Sequence, residues 1–156
     1  MPSKDLLGKP VTSNDQLLSA WNEFLTAKFA SPDADDNRPQ ELTVSPEDYL
    51  TEAELETCLK AMNNGRMPGW DGIPVEAYQN SLSAKLELFR IVRLIWDTEV
   101  IPNDFVKGIF IMIYKKKDRN DFGNYRAICL LIHAYKLLSA VIAQRLHLDS
   151  RRYSSR

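Results

Sequence analysis

From residue 65 to residue 74 the chain reads Gly-Arg-Met-Pro-Gly-Trp-Asp-Gly-Ile-Pro, with three glycines and two prolines in ten positions. Proline removes a backbone donor and fixes φ, and glycine carries the largest ordering cost of any residue, so neither helix nor strand runs through such a stretch. It is an extended loop, and the regular elements on either side must be separate pieces that pack on one another. On the near side, Thr51 and Glu54 have capping-box spacing, and Leu55, Cys58, Leu59 and Met62 form the apolar stripe of a helix. Asn64-Gly65 ends it with residues that tolerate a left-handed backbone. On the far side, Pro74 is placed as the first residue of a short helix through about residue 79. Leu82, Leu86, Phe89, Ile91, Val92, Ile95 and Trp96 then predict a longer, largely buried helix over 82–98.

Residues 1–12 read as a poorly ordered leading segment. Ser13 and Gln16 repeat the capping-box spacing, and Leu17, Leu18, Trp21, Phe24, Leu25 and Phe29 predict a helix over 14–29. Residues 31–46 hold three prolines with Asp33, Asp35, Asp36 and Glu41 and no apolar periodicity, the pattern of a flexible linker. Ile101-Pro102 breaks the long helix. Residues 108–114 are β-rich and continuously apolar, which predicts a strand covered on both faces. A basic loop over 115–124 follows, and 125–130 return as a second strand, giving a hairpin with a charged tip. Ile132, Tyr135, Lys136, Leu138, Val141, Ile142 and Leu146 predict a last helix over 132–147, before a polar tail.

With 156 residues, 44% hydrophobic and 26% charged, the chain has the balance of an ordinary globular domain or part of one. That excludes full disorder and a disulfide scaffold. Cys58 and Cys129 match no metal or redox spacing and read as small buried hydrophobes in a reducing compartment. The apolar run over 108–114 falls far short of the roughly 18 residues of a membrane helix, and no secretory signal is visible, so an intracellular location, nucleus or cytoplasm, is expected. There is no phosphate-binding Walker loop and no dinucleotide-binding glycine pattern. Neither His133 nor His147 has a Cys, Asp or Glu at ligand spacing, and Asp35-Asp36 reads as a solvated run. Charge is unevenly spread. Residues 1–64 carry 12 acidic and 5 basic side chains, net −7, and residues 65–156 carry 9 acidic and 15 basic, net +6. The densest basic stretch, 107–126, has six cations against Asp118 and Asp121, net +4. From charge alone this is a solvated loop; a basic half also suits a phosphate or nucleic-acid surface.

Leu50-Thr51-Glu52-Ala53-Glu54-Leu55, followed by the loop from Gly65 through Val75-Glu76, resembles the fingers-region signature of non-LTR (LINE-type) retrotransposon reverse transcriptases. That signature is a helix and then Gly-Lys-Ala-Pro-Gly-x-Asp-Gly-Ile-Pro-x-Glu. The likeness continues through Leu94-Ile95-Trp96 and Ile101-Pro102. Ile113-Tyr114-Lys115-Lys116-Lys117-Asp118 and Asn124-Tyr125-Arg126-Ala127-Ile128-Cys129-Leu130-Leu131 are similar to the family's Lys-Lys-Gly-Asp and Asn-Tyr-Arg-Pro-Ile-Ser-Leu-Leu. Tyr135-Lys136-Leu137-Leu138 and Gln144-Arg145-Leu146 complete it. Here Arg66 stands for the usual Lys, Met67 for Ala, Lys117 for Gly, Ala127 for Pro or Gly, and Cys129 for Ser.

The resemblance implies an α+β fold, mainly helical with a short antiparallel β-hairpin: a partial right-hand polymerase fold, fingers without palm or thumb. It divides the chain into an N-terminal extension over 1–49, a fingers-like segment over 50–148 and a disordered tail over 149–156. The family activity is RNA-directed DNA polymerisation, in which palm aspartates hold Mg²⁺. After Arg126 the one aspartate is Asp149, so this truncated chain alone is expected to be inactive, with no catalytic residue and no cofactor or metal of its own. Mg²⁺ is expected only in a full-length polymerase. The family's hairpin closes on the incoming nucleoside triphosphate, which assigns Lys116 and Arg126 to its phosphates, with Lys115 the near alternative. Lys107, Lys117 and Arg119 are candidate nucleic-acid contacts. Gly69, Asp71 and Gly72 are expected to shape the loop, Asp71 by capping backbone N–H groups. Trp70 is expected to pack on a neighbouring domain rather than stack on template. Expected partners are RNA or DNA and nucleoside triphosphate, weakly bound, with no membrane, and self-association through an exposed palm-facing surface. The alternative is a non-enzymatic nucleic-acid-binding remnant or a degenerate transposon gene product.

Overall fold

A computed structural model of the chain describes residues 2–30 and 49–153. The predicted linker over 31–46, with Asp35 and Asp36, lies outside them. The elements are α1 (Asn14–Phe29), α2 (Glu52–Ala61), α3 (Val75–Asn80), α4 (Leu82–Thr98), α5 (Asn103–Val106), β1 (Gly108–Tyr114), a 3₁₀ turn (Phe122–Asn124), β2 (Tyr125–Leu131) and α6 (His133–Tyr153). The fold is mixed and mainly helical, with β1 and β2 paired as a two-stranded antiparallel sheet. Two compact units emerge: Met1–Thr43 with Ile111–Ile128, and Val44–Phe110 with Cys129–Arg156.

In the first unit, α1 packs an aromatic cluster. Trp21 and Ala20 are buried with Phe122 and Tyr125, and Leu17, Phe24, Met112 and Tyr114 pack around them. The Trp21 ring meets Phe122 at 4.4 Å, Tyr125 at 5.1 Å and Phe24 at 5.9 Å, all edge-on. Such pairs add to area burial because ring edges are positive and faces negative. Ser13 Oγ caps α1 by accepting from Gln16 N–H at 3.3 Å. The Gln16 side chain closes back on Thr12, accepting from its N–H at 2.9 Å, so the box is one residue wider than the predicted one. The leading segment is ordered, contrary to expectation. Asp5 Oδ1 accepts from Leu7 and Lys9 N–H, and Lys4 bridges to Pro10. Ser3 donates from N–H and Oγ to Asn120 Oδ1, at 3.0 and 2.7 Å. A short polar segment folds here because one aspartate satisfies the amides of a tight turn.

The second unit is a helical cluster in which α6 packs against α2, α4 and α5, and α3 against α2 and α4. Leu55, Leu59, Val75, Val92, Leu137 and Val141 lie at its centre, each almost fully buried. The capping box of α2 is complete: Thr51 Oγ1 accepts from Glu54 N–H at 3.3 Å and Glu54 Oε2 accepts from Thr51 N–H at 2.9 Å. The Glu54 carboxylate also takes Arg145 Nε and an Nη of the same guanidinium, at 2.8 and 3.0 Å. Arg145 in turn lies over the Trp96 ring at 4.7 Å. The Arg145 guanidinium holds the Glu54 carboxyl well below its ordinary value, at about 2, although partial burial pushes the other way. Helix α2 stops at Ala61, before the predicted Asn64-Gly65, because Gln79 Nε2 on α3 takes the carbonyls of Leu59 and Met62 at 2.9 and 3.2 Å. Pro74 is the N-cap of α3 rather than its first residue, so the helix starts one residue later than predicted.

Four expectations are corrected. The strand over 108–114 is not covered on both faces: Ile109 and Ile113 on one face and Phe110 on the other are exposed, because the sheet has only two strands and the aromatic cluster covers only its Met112–Tyr114 end. Leu82 and Leu86 point outward from α4, whose inner face is Leu88, Phe89, Val92 and Ile95. Cys129 is exposed while Cys58 is buried, the latter donating to Gln144 Oε1 at 2.9 Å. Helix α6 continues through Tyr153, so the tail predicted as disordered from 149 begins as helix; polar residues lack an apolar stripe yet extend a helix once it is nucleated.

Candidate phosphate-binding hairpin

The site starts with how the loop between β1 and β2 is closed. Lys115 N–H donates to Asn124 C=O at 2.9 Å, extending the strand pairing past Tyr114. Asn124 Nδ2 donates to Asp118 C=O and Tyr125 OH to Arg119 C=O, each at 2.9 Å. Tyr114 OH donates to Lys117 C=O at 2.6 Å. Asp118 Oδ1 accepts from Asn120 N–H and Asp121 Oδ1 from Gly123 N–H, so both acidic side chains turn onto the loop's own backbone. The anions are consumed internally and the cations are left outward.

Alternation decides which face they use. Tyr114 and Tyr125 meet at 5.4 Å beside the aromatic cluster. Side chains of a strand alternate between faces, so Ile111, Ile113 and Lys115, with Arg126 and Ile128 from β2, belong to the other face. That face is uncovered: Ile113 is 47% and Ile128 41% exposed. Lys115, Lys116 and Arg126 are exposed, and among the described residues none of their side chains has a hydrogen-bonded or ion-paired partner. Strand alternation thus puts Lys115, one residue past the end of β1 and opposite Asn124, on the same face as Arg126, and leaves Lys116 in the turn.

The other predicted contacts differ. Lys117 sits at φ +79°, a left-handed conformation that costs an L-residue energy and glycine almost none. Arg119 lies over the Tyr114 ring at 5.1 Å. Lys107, in the second unit, is engaged locally: it pairs with Asp104 at 2.6 Å and covers the Trp70 ring at 5.4 Å.

The glycine-rich loop of the second unit is a frame. A Cβ on Gly69 would sit 2.5 Å from Ile132 N and 2.7 Å from Ile132 Cα, so only glycine lets the loop touch the β2–α6 junction. Gly72 has φ +67° and donates its N–H to Gly69 C=O at 3.1 Å. Asp71 Oδ1 accepts from Ile73 N–H at 3.2 Å, the capping expected of it. Gly65 N–H donates to the Glu76 carboxylate, closing the loop's ends and lowering the Glu76 pKa. Trp70 Nε1 donates to Asp104 C=O at 2.9 Å, which fixes the indole while leaving the residue 45% exposed. Sequence reasoning gave no role to His133, which is 2% exposed with Nδ1 3.0 Å from Ile73 C=O. A histidine directly before an apolar helical stripe was the signal for it.

Among the described residues, no three His, Cys, Asp or Glu side chains gather as a metal site, and no helix is long and apolar enough to cross a membrane. No protein-family model and no curated protein matches the sequence.

Proposed function

We propose that the chain is a fingers-type segment of a non-LTR retrotransposon reverse transcriptase and that its hairpin binds the phosphates of a nucleoside triphosphate. The observation that carries this reading is that Lys115 and Arg126 are both exposed, with no side-chain partner among the described residues, and fall by strand alternation on one hairpin face, while both loop aspartates turn onto the loop backbone. A guanidinium grips two phosphate oxygens and an ammonium adds a mobile point charge, so two cations on one face suit clustered phosphate oxygens. The resembled motif also makes physical sense residue by residue. Asn124 and Tyr125 hold loop carbonyls while Arg126 stays outward, Gly69 has no room for a side chain, and Lys117 occupies a glycine conformation. No step of polymerisation chemistry is assigned to these residues. A second reading, binding of single-stranded nucleic acid, is favoured by the unbroken exposed run Lys115, Lys116, Lys117.

The test is titration of a nucleoside triphosphate into the isotope-labelled chain, followed by amide shifts. Shifts should centre on residues 113–126. Arg126→Ala should weaken binding about tenfold, the value of a charge-assisted hydrogen bond, and Arg126→Lys nearly as much. Lys115→Ala should cost more than Lys116→Ala. Shifts spread evenly over surface lysines would overturn the reading.

A further inference from the structure

We infer that Ser3 and Asn120 are positioning residues for the phosphate-binding hairpin: they hold the Asp118 carboxylate on the loop and so keep the loop's lysines free for phosphate. The inference rests on the phosphate reading of that hairpin and gives the leading segment a part in it. Asn120 is where that segment meets the loop. Its Oδ1 accepts from Ser3 N–H at 3.0 Å and from Ser3 Oγ at 2.7 Å. With the oxygen turned to Ser3, the other end of the planar amide faces Asp118: Nδ2 donates to Asp118 Oδ1 at 3.3 Å, beside Asn120 N–H at 2.9 Å. A side-chain amide carries its acceptor and its donors on different atoms of one plane, so bonding one end orients the other. Ser3 is itself anchored. Val11 N–H donates to its C=O at 2.8 Å, and Asp5 Oδ1 closes the turn between them. The leading segment thus reaches a residue 117 positions away.

What Asn120 restrains decides its effect. Asp118 directly follows Lys115-Lys116-Lys117 in sequence, yet among the described residues it pairs with none of them. A carboxylate accepts through both oxygens, and its bonds to an ammonium are stronger than those to a neutral amide. Freed from the Asn120 amide, Asp118 turns to the adjacent lysines and competes with an incoming phosphate for the same charge. The restraint also runs to the strand end. Asn124 Nδ2 donates to Asp118 C=O at 2.9 Å, and Asn124 C=O accepts from Lys115 N–H at 2.9 Å. An unbroken hydrogen-bonded path therefore joins Ser3, Asn120, Asp118, Asn124 and Lys115, and its coupling is what a double-mutant cycle measures.

The experiment titrates a nucleoside triphosphate into the full chain and its variants, with near-UV circular dichroism confirming that the aromatic cluster of each is intact. Asn120→Ala changes no charge and should weaken binding about fivefold, the low end of couplings between sites. Ser3→Ala should weaken it in the same direction, and Ser3→Thr, which keeps the hydroxyl and the N–H, should bind like the native chain. The deciding variant is Asp118→Asn. It should bind at least as tightly as the native chain, and in that background Asn120→Ala should have no effect, because a neutral amide does not compete for lysine. A merely structural loosening of the loop would weaken binding equally in both backgrounds and would overturn the inference. An Asn120→Ala chain that binds like the native one would also overturn it, with the phosphate reading left standing. A native chain that binds no triphosphate overturns that reading and the inference together.

Discussion

Lys117 shows how a residue out of place reports on the backbone beneath it. The turn after β1 needs a left-handed residue, and at φ +79° the Lys117 Cβ crowds its own chain. The Tyr114 hydroxyl bonded to its carbonyl fixes it there. Lys117→Gly should therefore stabilise the chain by about 1 kcal/mol, read as a higher urea midpoint with unchanged slope, less whatever glycine adds to unfolded-state entropy. A lower midpoint would mean that the lysine makes a contact worth more than its strain. Gly69 is the opposite case: its φ is unremarkable, and what forbids a side chain is the backbone of Ile132 at 2.5 Å. At 69 the chain has a glycine; at 117 only the resemblance to the fingers signature implied one. The reason differs between them, and only the fold separates conformation from space.

At the scale of elements, caps and stripes were legible because they are local. The α2 capping box and the bounds of α1, α4 and β1 follow from residues a few positions apart. What stayed hidden was the second use of a capping residue. Glu54 serves Thr51 within its own helix and also Arg145, 91 positions away. Its carboxyl, at about 2 in the fold against an ordinary 4.5, makes acid stability a test. The folded value lies below the unfolded one, so this stabilisation is complete above pH 4.5 and is lost as pH falls through about 2. Glu54→Gln should cost about 1.5–3 kcal/mol at neutral pH, the range for hydrogen bonds to charged groups. The difference between native and variant in urea titrations should shrink as pH falls below 4.5. A difference constant down to pH 2 would show that the carboxylate charge contributes nothing.

Across the whole molecule, the two units have separate cores: an aromatic one in the first and an aliphatic helical one in the second. The outer half of the hairpin groups with α1, although almost a hundred residues separate them in sequence. Trp21→Ala removes the ring around which Phe24, Phe122 and Tyr125 gather, a change that costs about 3–5 kcal/mol in a core. Hydrogen exchange should then quicken in 14–29 and 111–128, while 82–98 and 133–145 keep their protection. Uniform loss of protection along the chain would mean that the units fold as one.

The order and type of the longer elements, the loop between α2 and α3 and the basic hairpin tip were determined by the sequence itself, because each rests on periodicity, capping or backbone freedom within a few residues; the one-turn α5 and the 3₁₀ turn are too short to carry such a signal. Which apolar residues ended up inside was decided by tertiary structure. Leu86 and Val92 sit in the same helix and look alike in sequence, yet one is exposed and the other buried, since α6 and α3 pack against one side of α4 only. The same holds for β1, whose apolar run reads as a doubly covered strand until the sheet proves to have only two strands. Hydrophobicity is a property of a residue, but its cover comes from a neighbour distant in sequence, and a single chain read from end to end carries no record of that neighbour's position.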